Sequence, residues 1–218
     1  MDDMNDTRER NDPDRPVMAS DGVEIQARTR LFKSYLALDR FQLRHRLHAG
    51  GMSDVIARDL VPRGMAVAVL LFDPDRDMVV LVEQFRIGAL CAEVDPWVLE
   101  IVAGLVEPGE SPADVACREA LEEAGARIDA IIPISRHLSS PGFTDETVVT
   151  FLGRVDARGL GGIHGLAEEG EDIRVVTMAL DDAIAACDDG RIANAITLIA
   201  LQWLALNRLR LEERWQPA

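Results

Sequence analysis

Gly104–Ala126 reads GLVEPGESPADVACREALEEAGA, and both ends of a helix are written in it. Ser111 can accept a hydrogen bond from first-turn amides, and Pro112 suits the first helical position because it has no N–H to leave unpaired. Asp114 sits where a capping-box acid would, and Gly125 supplies the left-handed residue that often closes a helix. The spacing predicts a helix over about 112–124. At 3.6 residues per turn, Glu119, Glu122 and Glu123 fall at i, i+3 and i+4 and crowd one face, while Val115, Ala116, Ala120 and Ala124 line another. Acids so placed repel one another unless solvent or a cation relieves them. Oxygen donors without nearby His or Cys favour a hard ion, Mg²⁺ or Mn²⁺.

Working outward, Trp97–Val102 reads as a strand that leads straight into Gly104, so the acidic helix starts where a strand ends. Ala66–Asp73 (AVAVLLFD) and Met78–Phe85 (MVVLVEQF) read as two aliphatic strands joined at Pro74-Asp75, a hairpin buried in a mixed sheet. Ile128–Leu138 and Thr147–Val155 are further strands, joined by the turn-rich Ser139–Glu146. Next comes a glycine-rich loop, Ala157–Glu171, with Glu168, Glu169, Glu171 and Asp172 at its end; long loops in compact domains are commonly functional or disordered. Ile173–Met178 is a last strand. Asp181 can cap a helix over about 182–188. Ala193–Arg214 predicts a long amphipathic helix with Ile196, Ile199, Ala200, Trp203, Leu204 and Leu206 largely to one side.

Upstream, Val23–Pro62 alternates short apolar and polar runs around a Gly50-Gly51 turn, the pattern of a small antiparallel sheet. Arg44, His45, Arg46 and His48 fall on one of its strands, read as a solvated edge. Residues 1–21 are polar and acidic, without an apolar core to a leader, and are expected to be a disordered tail.

With 218 residues, 48% of them apolar, the chain can bury a full core. Against 23 basic residues stand 38 acidic ones, a formal charge of −15, which argues against a nucleic-acid or anionic-membrane surface. A small anionic substrate must then be met by local arginines and metal. Cys91, Cys117 and Cys187 are widely spaced and without a CxxC pair, so neither a disulfide framework nor a zinc site is indicated, and a reducing cytoplasm fits.

The pattern G-x5-E-x7-R-E-x-x-E-E-x-G, met by Gly104, Glu110, Arg118, Glu119, Glu122, Glu123 and Gly125, resembles the box of Nudix hydrolases, which cleave nucleoside diphosphates linked to a second group. Ala120 and Ala126 stand where that family more often has larger aliphatic residues, which bears on packing. The resemblance extends to SPGFTDE, GIHGLAEEGEDIRV, ANAITLIALQWL, VEQFRIGA and DGVEIQARTRLFKSYLALDRFQLRH, segments similar to the bacterial ADP-ribose pyrophosphatases of the family, over roughly 22–215. It implies an α/β fold, the Nudix α/β/α sandwich with a mixed sheet over 63–215, preceded by a dimerising antiparallel sheet over 22–62. It also implies Mg²⁺-dependent conversion of ADP-ribose and water to AMP and ribose 5-phosphate by a homodimer that exchanges its N-terminal sheet.

Matched position by position, the resemblance makes Glu119, Glu123 and Glu171 metal ligands, with the backbone carbonyl of Ala103. The catalytic set is Glu119, Glu122 and Glu123 together with Glu169, the implied general base. Read from the residues alone, the base could equally be Glu168, with His164 ranked below both. Gly104, Glu110, Arg118 and Gly125 are structural box residues, Arg118 through an ion pair. Arg58, Arg63 and Arg86 match contacts to the diphosphate or terminal ribose. Tyr35 and Leu36 match the adenine site, where relatives carry an aromatic pair, so one stacking face is lost. Leu105, Ser140, Pro141, Gly142 and Glu146 match other substrate contacts. Two alternatives stand beside this reading: another nucleoside diphosphate sugar, such as ADP-glucose or GDP-mannose, as substrate, and a non-catalytic ADP-ribose-binding domain.

Overall fold

A computed structural model describes residues 20–166, 170–211 and 214–215. The chain divides into two units, one holding residues up to Met65 with Leu138–Thr147, the other Ala66–His137 with the remainder.

In the first unit, β1 (Val23–Lys33), β2 (Ala37–His45) and β3 (Ile56–Leu60) form an antiparallel sheet in that order. The expected N-terminal sheet is therefore present, with one correction. The four basic residues do not share one strand: Arg44 and His45 end β2 beyond its pairing with β3, Arg46 makes an isolated bridge to Met52, and His48 lies in the turn that follows, because the chain reverses toward Gly50-Gly51 there. Asp39 on β2 is fully buried and accepts from Arg28 and Arg30 of β1. Burial pushes its pKa up, but the two guanidiniums outweigh it and hold the carboxyl below its usual value. The turn from Leu138 to Thr147 joins this unit through Asp145, whose Oδ1 accepts from the amides of Arg63 (2.7 Å) and Gly64 (3.1 Å).

The second unit is an α/β sandwich. Its eight-stranded sheet has the order β10-β11-β5-β4-β9-β8, from β4 (Met65–Asp73), β5 (Met78–Phe85), β8 (Ala130–Leu138), β9 (Thr147–Arg154), β10 (Gly162–His164) and β11 (Ile173–Ala179). β4 and β5 pair only over Leu71–Asp73 and Met78–Val80, then part. The strand expected at Trp97–Val102 fills the gap in two pieces. β6 (Trp97–Glu100) bonds to β5, the chain switches at Ile101, and β7 (Val102–Leu105) bonds to β4. Ile101, having left both ladders, gives its N–H to Thr197 Oγ1 at 3.0 Å, as a buried amide requires a partner.

β4 explains the continuous apolar reading. Val67, Val69 and Leu71 pack with Val115, Ala116, Ala120 and Ala124 of α2 (Pro112–Ala124). The alternate residues Ala68, Leu70 and Phe72 pack with Leu180 and Ala183 of α3 (Leu180–Asp188) and Leu201 and Leu204 of α4 (Ala195–Asn207). A strand covered on both faces needs no polar side.

The short helix α1 (Ile87–Cys91) has too few residues to show a period in the sequence. Three local expectations are corrected. Helix α3 starts at Leu180 with no side-chain cap, because β11 runs directly into it and Leu180 N–H bonds the Asp77 carbonyl at 2.9 Å; Asp181 lies in the first turn, where the helix dipole favours it. Helix α4 begins at Ala195 and ends at Asn207, whose side-chain amide donates to the Trp203 carbonyl at 2.8 Å before a single 3₁₀ turn, Arg208–Arg210. Its buried stripe is Thr197, Ala200, Leu201 and Leu204, with Leu206 exposed. Among the described residues no helix is long and apolar enough to cross a membrane.

Candidate active site

Helix α2 is built as its sequence reads. Ser111 Oγ accepts from Asp114 N–H at 3.1 Å and donates to Asp114 Oδ2 at 2.7 Å. At the other end Gly125 takes φ 61°, and the amides of Gly125 and Ala126 bond the carbonyls of Leu121 and Ala120. A side chain at Gly125 would also meet the ring of His164, 2.9 Å from the Cβ position. His164 is therefore packing against the end of α2, its Nε2 near the Gly161 carbonyl at 2.9 Å.

Packing α2 on the sheet carries its acids to different depths. Glu123 is 4% exposed and accepts from Ala103 N–H on β7 at 3.2 Å. Glu119, with 14% of its side chain exposed, lies over Gly104, where a Cβ would overlap its carboxyl group and stand 2.6 Å from its Cγ. Glycine at 104 leaves room for the Glu119 carboxyl in this position, which a side chain there would displace. Glu171 approaches from the loop before β11, with Oε2 accepting from Leu166 N–H at 3.0 Å.

Arg118 lies among Glu110 (3.6 Å), Glu119 (2.9 Å) and Glu122 (2.9 Å). Burial raises the Glu119 pKa to about 7, with Arg118 opposing and Glu122 and Glu171 adding to the rise. Burial raises that of Glu123 further, to about 8, opposed by the Ala103 amide and reinforced by Glu119 and Glu171. Carboxylates that raise one another's pKa in a half-dry site are a ready host for a cation. Each is bonded elsewhere here, and among the described residues no three acidic, His or Cys side chains converge as a ligand group. The cradle over Gly104 and the all-oxygen donor set nevertheless suit a hard divalent ion.

Arg86, at the end of β5, completes this neighbourhood, its charge near enough to oppose the rise at Glu123. Its Nε donates to Glu100 Oε2 at 2.8 Å. Leu105 closes β7 opposite Ala66. The other candidate substrate residues belong to the first unit. Tyr35 and Leu36 lie in the β1–β2 turn, Tyr35 85% exposed. Arg58 is on β3. Arg63 and Glu146 are brought together at 3.6 Å, and Ser140, Pro141 and Gly142 form a turn closed by Phe143 N–H on the Ser140 carbonyl. Glu168 and Glu169 lie outside the described residues.

The NUDIX domain model matches residues 62–216, most of the chain, including the helix, the glycine cradle and the loop acid. The chain belongs to the Nudix family. It is 47% identical over 193 residues to the ADP-ribose pyrophosphatase of Escherichia coli strain K12, spanning 88% of this chain and 92% of that one. To the ADP-ribose pyrophosphatase of Haemophilus influenzae it is 43% identical over 197 residues, 89% and 91% of the two. A solved ADP compounds hydrolase shares the fold, with a TM-score of 0.66 at 19% identity, covering 90% of this chain and 98% of that one.

Nudix hydrolases generally use divalent metal ions. Glu100 accepts from both Arg86 and Asn194, a meeting that no sequence signal pointed to. Glu100 is the single acid of the strand WVLE, and Asn194 precedes an apolar helix, so each carried only a weak local signal; their meeting depends on packing α4 against the β6–β7 switch.

Proposed function

We propose that this chain hydrolyses the diphosphate of ADP-ribose to AMP and ribose 5-phosphate, with Mg²⁺ or in its place Mn²⁺, as a cytoplasmic homodimer. The observation that carries the reading is the pair of buried helix acids, Glu119 lying over Gly104 and Glu123 bonded to the Ala103 amide, with pKa values raised to about 7 and about 8. Relatives named ADP-ribose pyrophosphatase at 43–47% identity support the choice of substrate.

A diphosphate resists hydrolysis because its own charge repels a nucleophile. Glu119, Glu123, Glu171 and the Ala103 carbonyl would hold the metal, which when bound neutralises phosphate oxygens and acidifies water. The protein's own groups do the rest. Arg58, Arg63 and Arg86 supply bidentate donors to the phosphates, and Tyr35 offers an aromatic face to adenine beside Leu36. Leu105, Ser140, Pro141, Gly142 and Glu146 shape the remaining contacts. Glu122 keeps Arg118 folded against the box. Glu169 accepts the proton of the attacking water as its oxygen bonds to phosphorus and the bridging P–O bond breaks.

The test is hydrolysis of ADP-ribose, ADP-glucose and GDP-mannose with and without Mg²⁺, reading nucleoside monophosphate and sugar phosphate. Metal-dependent AMP release with ADP-ribose preferred is expected, and Glu169→Gln should lower kcat far more than Glu168→Gln. Equal turnover of GDP-mannose overturns the substrate assignment; tight binding of ADP-ribose without turnover overturns the enzyme reading.

A further inference from the structure

Arg86 is held at its backbone and at its head. Its N–H donates to the Pro96 carbonyl at 2.8 Å. Its guanidinium reaches Glu100 Oε2 through Nε at 2.8 Å and Nη2 at 2.7 Å. The other carboxylate oxygen, Oε1, accepts from Asn194 Nδ2 at 2.7 Å. Glu100 is 7% exposed, while Arg86 keeps a half-open side chain whose Nη1 has no partner among the described residues. Asn194 is also the N-cap of α4, its Oδ1 accepting from Thr197 N–H at 3.1 Å, and Thr197 Oγ1 takes the freed amide of Ile101. A continuous chain of polar contacts thus runs from the start of α4, through the β6–β7 switch, to the arginine beside the acidic site.

We propose that Glu100 and Asn194 are positioning residues that aim Arg86 at the substrate diphosphate. The proposal rests on the reading that the chain cleaves a nucleoside diphosphate sugar. A free arginine samples many rotamers and must be ordered when it binds; one already gripped by a buried carboxylate loses less. Glu100 cannot follow the guanidinium outward, because Asn194 holds its second oxygen. The fork can therefore face Glu100 with one edge and a phosphate with the other. Glu100→Gln separates this role from simple packing. Glutamine keeps the shape but offers one acceptor oxygen to two donors, so Arg86 or Asn194 loses its partner. Asn194→Ser retains an N-cap acceptor for α4 and loses the amide donor to Glu100.

Steady-state kinetics on the full-length, Mg²⁺-loaded protein with ADP-ribose test it, with thermal melting as a folding control. Glu100→Gln and Asn194→Ser should each raise KM, Glu100→Gln about tenfold, the size of one lost hydrogen bond to a charged group. Glu100→Gln added to Arg86→Ala should change KM less than twofold beyond Arg86→Ala alone, since a positioning residue has nothing left to position. Effects that multiply in the double variant, or an unchanged KM in both Glu100→Gln and Asn194→Ser when Arg86→Ala raises it, overturn the proposal while leaving the hydrolase reading standing. An Arg86→Ala protein with unchanged KM overturns both the proposal and the substrate role given to Arg86. If Glu100→Gln fails to fold, Asn194→Ser and its combination with Arg86→Ala decide the question by the same outcomes.

Discussion

Glu123 owes its pKa of about 8 first to burial, with the Ala103 amide opposing and Glu119 and Glu171 adding their repulsion. The folded protein therefore keeps a proton from about pH 4.5 to 8 that the unfolded chain has released, so the metal-free fold loses stability as pH rises through that window. Glu123→Gln keeps an acceptor for Ala103 and discards the charge. It should abolish metal-dependent turnover, yet raise the metal-free melting temperature at pH 8; a variant with normal kcat would remove Glu123 from the site. By the same sign, protons compete with the cation below pH 8, and Mg²⁺ should raise the melting temperature more at pH 8.5 than at pH 6. Equal shifts in differential scanning fluorimetry would contradict that. Gly104→Ala must push Glu119 off its seat, and a loss of about 10–100-fold in apparent Mg²⁺ affinity is expected in a titration of activity.

At the scale of elements, α2 was readable from its sequence because every signal is local: the Ser111 cap, Pro112, the apolar stripe and the left-handed Gly125 all lie within one helix and its ends. Ser111→Ala should cost about 1 kcal/mol, or roughly 2–4 °C in a domain of this size, read by thermal melting. No change would mean the Asp114 amide finds another acceptor. Other boundaries are set by a neighbour and not by a local signal. Leu180 opens α3 because Asp77 accepts its amide, and Trp97–Leu105 breaks at Ile101 because β4 and β5 have parted and each takes one piece. No window of sequence contains both partners of those contacts. Glu123 shows the same limit within a well-read helix: its spacing placed it with Glu119 and Glu122, while only the packing of α2 under β7 set it deeper than both.

At the scale of the molecule, the first unit exposes Val23, Ile25, Leu31 and Phe32 on β1, apolar surface of the kind that marks an interface. Light scattering at micromolar concentration should give about twice the 24.0 kDa of one chain. A monomer would refute the homodimer. The two-faced core of β4, by contrast, was legible from AVAVLLFD, since only a strand covered on both sides can forgo polar alternation. The sequence by itself determined most of the strands, the acidic helix and the all-oxygen donor set of its box, because propensity, capping and charge spacing act over a few residues. Only the tertiary structure decided how deeply each acid is buried, that Glu119 rests on Gly104, and that Glu100 and Asn194 grip Arg86. Those depend on contacts 14 to 94 residues apart along the chain, which chain folding alone brings together.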